Sequence, residues 1–250
     1  MSWRSDPTPY RVVISEIMLQ QTQVERVMKK FAPFMRRFPD WQTLAQSPTK
    51  DVLEEWSGLG YNRRALYLKR IAQIIASGRK EPDTLEKWRE LPGIGPNTAG
   101  AILAFAFNRP VPFIETNIRA VFIHFFFRNS SKKIADHEIL PFVQRALADK
   151  KIRANAREWY YALMDYGAHL KKQDINPSRR SAHHFKQKPF KGSNRELRSK
   201  ILRLILRHRL NEAAILKKLA EYEPVQIAKN IADLVHEGFL TQKRSVYRIT

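Results

Sequence analysis

The amino-acid sequence predicts an all-α part followed by a small winged-helix-like α+β domain. Residues 11–170 carry apolar residues at helical spacing and almost no alternating, strand-like pattern. Three more helical patterns and two short β-like runs follow from residue 195. The stretch between the two parts is basic and contains prolines but few large aliphatic residues. We therefore expect one domain at 1–172, a basic linker at 173–194 and a second domain at 195–250.

The first part is predicted to be a series of helices separated by proline and glycine. Apolar residues recur at helical spacing from Phe31 to Phe38, and Pro39 ends this pattern. A second pattern runs from Ala65 to Ile75 and is closed by Gly78. A strongly apolar helix from Ala99 to Phe107 follows a glycine-rich turn. The spacing therefore favours a purely helical core.

The C-terminal stretch shows three helices closed by a basic hairpin, which is the winged-helix arrangement. The third helix is predicted to begin at Pro224 and to stop at Gly238. Two β-like runs, 239–241 and 246–249, are separated by Lys243-Arg244-Ser245. In such folds the third helix enters a nucleic-acid groove and the hairpin forms the wing. The same fold also mediates protein contacts, so either partner is open for this domain.

The charge of the chain indicates a polyanionic partner. The sequence has 45 Lys or Arg against 24 Asp or Glu, a formal net charge of +21. Residues 171–209 alone hold 13 Lys or Arg and two acids. Each phosphate that such a surface neutralises releases counterions, which favours binding to nucleic acid. A merely cationic protein of the ribosomal kind and a membrane-surface binder are the alternatives.

Three absences narrow the class of protein. The sequence has no cysteine, which excludes disulfides, thiolate metal sites and a cysteine-held iron–sulfur cluster. It has no stretch of about 18 apolar residues that would span a membrane. The segment Met1–Tyr10 lacks the apolar core of a signal peptide. We expect a cytoplasmic, nucleoid-associated protein.

A glycine-rich turn, LPGIGPNT, joins two predicted helices at residues 91–98. Two glycines that flank a single apolar residue make a tight turn with uncovered backbone N–H groups, and the next helix adds the positive end of its dipole. This predicts a site for a backbone phosphate, although such turns are also common without a ligand. The predicted contacts are Gly93, Ile94, Gly95, Asn97 and Thr98.

This turn closely resembles the hairpin of the helix-hairpin-helix glycosylase superfamily, which includes endonuclease III and the MutY-type adenine glycosylases. The segment Ile14–Val24, ISEIMLQQTQV, is similar to the MutY-type signature, and Gly58–Ala65 and Leu163–Ala168 match further blocks of the family. The resemblance covers about residues 6–170. It implies a helix-hairpin-helix glycosylase fold and base-excision repair of double-stranded DNA, with adenine opposite 8-oxoguanine or guanine as the leading substrate.

Two acids are the candidate catalytic residues. Glu16 lies in an apolar helix start, where a carboxyl tends to have a raised pKa that suits a general acid, although such a residue is often only a surface or capping acid. The resemblance places Glu16 on the catalytic glutamate of the family. It places Glu115 where the family has an aspartate that stabilises the oxocarbenium-like transition state. The extra methylene of Glu115 changes the distance to the substrate.

The resemblance also implies residues that hold an extruded nucleotide. Gln20, Gln21 and Tyr61 resemble the side chains that fill the gap and stack in the duplex, whereas the plain interpretation is a polar helix face and a core tyrosine. Asn62 stands where the family often has a second tyrosine. Further DNA-binding residues implied by the resemblance are Thr22, Arg63, Arg64, Asn117 and Arg119.

Three departures from the family change what is expected. Bifunctional relatives use a lysine at the position of Asn97, so we expect a monofunctional enzyme that leaves an abasic site. Lys171, Ser178 and Ser181 fall about where four cysteines of the family hold a [4Fe–4S] cluster, so no cluster is expected. The only cofactor for which the resemblance leaves room is a monovalent cation at the hairpin. A winged-helix-like segment stands in place of the domain that senses 8-oxoguanine.

The basic segment at 171–181 is expected to contact phosphate in place of the cluster loop, through Lys171, Lys172, Arg179 and Arg180. Two other functions remain open: a glycosylase that removes thymine or uracil from mismatches, and a catalytically inactive protein that binds damaged DNA or regulates. No heptad or repeat pattern is visible, so we expect a monomer.

Overall fold

The computed structural model describes residues 1–78, 80–173, 176–185, 187 and 189–250. Within the predicted linker, residues 174, 175, 186 and 188 lie outside the described residues. The chain forms two compact units, one from residues 1–17 and 80–186 and one from residues 18–79 and 187–250. The bounds predicted from the sequence, 1–172, 173–194 and 195–250, describe stretches that fold independently. They stay a prediction.

Helices dominate both units, which confirms the predicted fold class. The helices are α1 (Pro9–Leu19), α2 (Val24–Arg37), α3 (Trp41–Gln46), α4 (Thr49–Trp56), α5 (Arg63–Ala76), α6 (Leu85–Arg89), α7 (Pro96–Phe107), α8 (Thr116–Phe126), α9 (Asp136–Ala148), α10 (Lys150–Ala154), α11 (Ala156–Lys172), α12 (Asn194–Arg207), α13 (Glu212–Lys218) and α14 (Pro224–His236). The strands are β1 (Leu210–Asn211), β2 (Leu240–Lys243) and β3 (Val246–Ile249). Among the described residues, no helix is long and apolar enough to cross a membrane.

The first unit is built around α7, the helix that follows the glycine-rich turn. Every residue of α7 from Ala99 to Phe105 is buried. Aromatic rings of α11 pack against it and against the segment that follows it: Phe105 stacks on Tyr161 at 4.7 Å between ring centroids, and Phe113 lies 4.2 Å from Tyr160. The apolar run that predicted a helix here is thus the core of the unit.

Helix α11 also approaches the first turn of α8 very closely. Gly167 is the contact point, because a methyl group on its Cα would lie 2.2 Å from the backbone oxygen of Asn117. The Tyr160 hydroxyl donates to the Val111 carbonyl at 2.9 Å and accepts from the Phe113 N–H at 3.3 Å. These contacts hold the segment that leads into α8.

The N-terminal helices of the second unit pack around Trp56 and Phe34. The two rings meet edge to face at 6.2 Å, and both side chains are fully buried. The indole N–H of Trp56 donates to the Gly60 carbonyl at 3.0 Å, which fixes the turn after α4. Burial of large aromatic side chains supplies much of the stabilisation of such a helical layer.

The C-terminal part of the second unit is a winged helix, as predicted. Helices α12 and α14 bury their apolar faces together, and the antiparallel sheet has the order β1-β3-β2. Arg244 and Ser245 both have positive φ angles, 49° and 61°, which is typical of a two-residue type I′ turn. The turn is therefore shorter than predicted, and Lys243 belongs to β2. The two-residue strand β1 was not predicted from the sequence.

The contact at Gly167 predicts a strong effect of a single methyl group. We expect Gly167→Ala to destabilise the first unit by about 1–3 kcal/mol, because backbone atoms of α8 cannot move aside cheaply. Thermal unfolding followed by circular dichroism measures this. Gly95→Ala is the matched control, since nothing lies within 4 Å of a methyl group there. Equal unfolding temperatures for the two variants would contradict this account of the packing.

Candidate active site and nucleic-acid interface

The predicted hairpin lies in the first unit, between α6 and α7. Gly93 has a φ of 78°, a conformation that favours glycine, and the buried Ile94 anchors the turn. Gly95 is the N-cap residue of α7 and has no side chain to cap it, and Pro96 occupies the first turn. The start of α7 therefore has the geometry that binds anions at a helix N-terminus.

The hairpin is tied to the segment that carries Glu115. The Asn97 Oδ1 accepts a hydrogen bond from the Ile114 N–H at 3.3 Å. Asn97 occupies the position where the sequence comparison expects lysine in bifunctional relatives. Its side chain instead connects the first turn of α7 to the residue before Glu115, so it has a structural role that the sequence did not indicate.

Glu16 lies on α1 among fully buried apolar neighbours. Ile14 and Ile17 on either side are buried, and the Glu16 residue itself is half-buried. Burial of the carboxyl and, to a smaller extent, the negative charge of Glu115 raise the pKa of Glu16 to about 8, although the positive charge of Arg4 opposes the rise. Within the described residues, no hydrogen-bond partner is found for this carboxyl. These surroundings favour the protonated form of Glu16 at neutral pH.

Arg4 is a neighbour of Glu16 that the sequence did not identify. Its Nη1 forms an ion pair with Asp165 Oδ2 at 2.8 Å, and its guanidinium lies 4.3 Å from the ring centre of Tyr161. Asp165 belongs to the block Leu163–Ala168 that matched the family, so that match was the only available signal.

Glu115 is the N-cap residue of α8. Its Oε1 accepts from the N–H groups of Asn117 at 2.7 Å and Ile118 at 3.0 Å, and its Oε2 accepts from Asn117 Nδ2 at 3.3 Å. Burial raises the pKa of Glu115 above its usual value, and these hydrogen bonds and the charges of Lys171 and Arg119 work against that rise. The longer side chain thus folds back onto its own helix and is fixed there.

Lys171 supports this arrangement through Asn117. The Lys171 Nζ donates to Asn117 Oδ1 at 2.9 Å, while the amide of the same Asn117 donates to Glu115. Lys171 lies one turn after Gly167 on α11, so the close packing of Gly167 brings it to the first turn of α8. It stands at a position predicted to replace a cluster cysteine, and the sequence gave no sign of this contact.

The other cluster positions do not offer ligands for iron. Ser178 and Ser181 are buried; the Ser178 hydroxyl donates to Asn176 Oδ1 at 2.7 Å, and the Ser181 hydroxyl accepts from the His183 N–H at 3.0 Å. Hydroxyl groups and an ammonium group lack the thiolate donors of such clusters. Among the described residues, no group of three or more His, Asp or Glu side chains is arranged to hold a metal ion.

One arginine of the basic segment at 171–181 binds backbone carbonyls of the protein itself. Arg180 donates to the carbonyl oxygens of Phe127 at 2.6 Å and Arg128 at 3.1 Å, and also to that of Ser130, so it caps the end of α8. The exposed Lys172 and Arg179 are the members of the predicted phosphate contact that face solvent. That contact stays a prediction.

Gln21 and Tyr61, the predicted wedge residues, lie in the second unit with unusual backbone geometry. Their φ angles are 54° and 47°, a left-handed conformation that costs energy in residues other than glycine. Both side chains are exposed. The polar and stacking groups are therefore exposed on a strained backbone, and their role as a wedge stays a prediction.

Arg64 holds the two wedge segments together. Its guanidinium donates to the carbonyls of Met18 at 3.0 Å and Gly60 at 2.9 Å, to Thr22 Oγ1 at 2.9 Å and to the Gln20 carbonyl. Burial lowers the pKa of Arg64 to about 10. The structure thus gives Arg64 and Thr22 a scaffolding role, and their predicted contacts with DNA stay a prediction.

The remaining predicted contacts are divided between the units. Arg119 is paired with Asp136 through Nε at 2.5 Å, and Arg63 is paired with Glu237 at 2.8 Å. The first unit brings together Glu16, Glu115, Asn117, Arg119 and the hairpin residues. The second unit brings together Gln20, Gln21, Thr22, Tyr61, Arg63 and Arg64.

The first unit thus combines two half-buried acids of raised pKa with a glycine-rich hairpin that leads into a helix. A family model described as HhH-GPD superfamily base excision DNA repair protein matches residues 14–144, more than half of the chain. The chain belongs to this superfamily.

Similar proteins carry a consistent description. An adenine DNA glycosylase of Buchnera aphidicola subsp. Baizongia pistaciae is 41% identical over 135 residues, which are 53% of this chain and 38% of that protein. One of Buchnera aphidicola subsp. Acyrthosiphon pisum is 35% identical over 172 residues, 68% of this chain and 49% of that protein. The chain therefore spans about half, or less, of the length of these relatives.

The fold is shared with solved glycosylase structures. The structure of a thermostable thymine-DNA glycosylase superposes with a TM-score of 0.59 at 23% identity, over 70% of this chain and 82% of that one. This likeness confirms the predicted helix-hairpin-helix fold.

The contact of Lys171 predicts a shift in the titration of Glu115. We expect Lys171→Met to raise the pKa of Glu115, because the substitution removes a positive charge and the hydrogen bond that orients Asn117. Carboxyl ¹³C chemical shifts of labelled glutamate, followed against pH, measure this. Lys172→Met removes the same charge from the exposed neighbouring residue and should leave the Glu115 midpoint unchanged. A shift of equal size in both variants would show that net charge alone is responsible.

Proposed function

We propose that the chain is a monofunctional DNA glycosylase of base-excision repair that hydrolyses the N-glycosidic bond of a flipped, mispaired base. Adenine opposite 8-oxoguanine or guanine is the proposed substrate. The observation that carries the proposal is the Glu16 carboxyl, which is half-buried, has a pKa of about 8 and is electrostatically coupled to Glu115. The names of the relatives support adenine as the base.

The two acids have different roles in the proposed reaction. Glu16 is protonated and donates its proton to a ring nitrogen of the base, so that the base takes the electron pair of the C1′–N bond and leaves as a neutral group. The deoxyribose is left with positive charge at C1′. The Glu115 carboxylate, fixed by two backbone N–H groups, stabilises this charge until water adds to C1′. The water loses one proton, which returns to the ionised Glu16, and the product is an abasic site.

The monofunctional reaction is supported by the position of Asn97. An amine at this point of the second hairpin helix would attack C1′ and form a Schiff base. The amide of Asn97 is not a nucleophile, and its oxygen is already hydrogen-bonded to the Ile114 N–H. Water is therefore the proposed nucleophile.

The proposal includes double-stranded DNA as the partner, a monomer, and a cytoplasmic, nucleoid-associated location. The net charge of +21 and the hairpin geometry support the DNA partner. No cofactor takes part in the proposed reaction, and a monovalent cation at the hairpin stays an expectation from the resemblance.

Release of free base from labelled duplexes tests the proposal. The duplexes carry adenine opposite 8-oxoguanine or guanine, and thymine or uracil opposite guanine; alkali then cleaves abasic sites. We expect cleavage at adenine, no adduct after borohydride, and a loss of about 10²–10⁴-fold in the single-turnover rate of Glu16→Gln. Glu25→Gln, an exposed acid on α2, is the matched control and should keep the full rate.

Each contrary result points to a different function. Cleavage at thymine or uracil alone would identify a mismatch glycosylase of the other specificity. Tight duplex binding without release of any base would identify a catalytically inactive damage-binding protein. A borohydride-trapped adduct would refute the monofunctional mechanism.

The pKa values of the two acids predict a bell-shaped pH profile for the single-turnover rate. Glu16 must be protonated, so the rate should fall as the pH rises through about 8. Glu115 must be ionised, so the rate should also fall as the pH drops through its raised pKa. Because the two charges interact, both limbs report on the pair. The alkaline limb should disappear in Glu16→Gln, and its persistence there would assign it to another group.

A further inference from the structure

The second unit contains a groove along α12, the first helix of the winged helix. The groove has a volume of about 820 Å³ and lies between α12 and the two wedge segments, 20–26 and 57–64. Helix α12 contributes Arg195, Arg198, Ser199, Leu202, Arg203 and Leu206 to its lining. These residues follow the spacing i, i+3, i+4, i+7, i+8, i+11, so one face of the helix forms the wall.

Residues near the start of α12 touch the predicted wedge directly. The Arg195 Nη1 donates to the Tyr61 hydroxyl at 2.9 Å, and its guanidinium lies 5.6 Å from the centre of the Tyr61 ring. Gln187 donates to the same hydroxyl and, at 3.4 Å, to Gln21 Oε1. Within the second unit, the start of α12 and the segment before it therefore contact the point where the strained wedge residues lie.

The charge of the groove is positive. Glu237 is the acid among its lining residues, and it is neutralised by two arginines, Arg63 at 2.8 Å and Arg198 at 2.5 Å. Arg26 and Arg203 also line the groove, are exposed, and form no ion pair with any described residue. Their charges face the solvent without a protein anion.

A second basic cavity continues along the C-terminal end of α12. It has a volume of about 540 Å³ and shares Leu206 with the first groove. Its lining includes Lys50, Arg207, Arg209 and Arg248 and no acidic side chain. Positive charge thus extends along α12 for the length of the helix.

Helix α14, the groove reader expected from the winged-helix topology, lacks such an excess. Lys229 and Asp233 have opposite charges on α14, and Glu223 and Glu237 flank its two ends. Val225 is 80% exposed at its start. A helix of this mixed character gains little by approaching phosphates.

We propose that α12, and not α14, is the helix of the winged-helix domain that faces DNA, and that Arg26, Arg195 and Arg203 bind backbone phosphates of the duplex beside Tyr61. The proposal rests on the proposed function only in taking duplex DNA as the ligand. It assigns the first helix a role in binding strength and in holding the duplex at the wedge. The third helix and Lys243 of the wing are left without phosphate contacts.

The salt dependence of duplex binding tests this assignment. The probe is a labelled duplex with a central abasic-site analogue, and the full-length Arg195→Ala/Arg203→Ala variant is compared with the wild-type protein. Each lost phosphate contact reduces the slope of log K against log salt by about 0.9, so we expect a slope smaller by about 1.8. Arg195→Lys/Arg203→Lys should restore most of the slope.

A matched control removes two charges from the third helix and the wing, the surface that the winged-helix topology alone would assign to DNA. Lys229→Ala/Lys243→Ala changes exposed residues of α14 and β2 and should keep the wild-type slope. Hydroxyl-radical footprints should lose protection beside the abasic site only in the α12 variant. Thermal unfolding shows whether each variant keeps its fold.

The outcomes separate this inference from the proposed function. An unchanged slope in the α12 variant, a reduced slope in the control, or no duplex binding by the wild-type protein would overturn the role of α12. Absence of base release by a wild-type protein that binds with the expected α12-dependent slope would refute the glycosylase activity and leave the role of α12 standing.

Discussion

The close packing of α11 on the first turn of α8 is the constraint on which the site in the first unit depends. It is possible only because Gly167 has no side chain at the backbone oxygen of Asn117. One turn later, Lys171 reaches the Asn117 side chain, and Asn117 in turn reaches Glu115. A backbone contact between two helices is thereby converted into control over the position and charge of a carboxylate.

The two acids differ in how they are held, and the difference sets their chemistry. Glu115 is surrounded by donors, which oppose the effect of burial and favour the charged form. Glu16 has apolar neighbours and a nearby negative charge, both of which favour the protonated form. Two identical side chains are thus held in different electrostatic surroundings.

The sequence predicted those features of the fold that follow from local patterns. Each of these features depends on a few residues that are close in the sequence: the helices, the glycine-rich turn and the final hairpin. The structure has all of them. Tyr61 follows Gly58 and Gly60, and all three residues have positive φ angles. Such an angle is ordinary for glycine, but the left-handed conformation of Tyr61 is visible only in the structure. The cap formed by Glu115 could not be predicted from the resemblance, because it depends on how the longer side chain folds back onto α8.

Long-range contacts of charged residues could not be predicted in this way. Arg64 and Arg203 are both arginines, so their residue type does not distinguish them. Arg64 is buried among carbonyl oxygens that include those of residues more than 40 positions away in the sequence, whereas Arg203 is exposed in a groove. Lys171 meets an amide 54 residues away. A net charge of +21 gives only the excess of cationic over anionic side chains. Tertiary packing brings some of these cations to backbone carbonyls and acids of the protein itself, and the remaining ones can bind a ligand. For this chain, the cations left for phosphates lie on α12 and not on α14, which is why we place the phosphate contacts on α12.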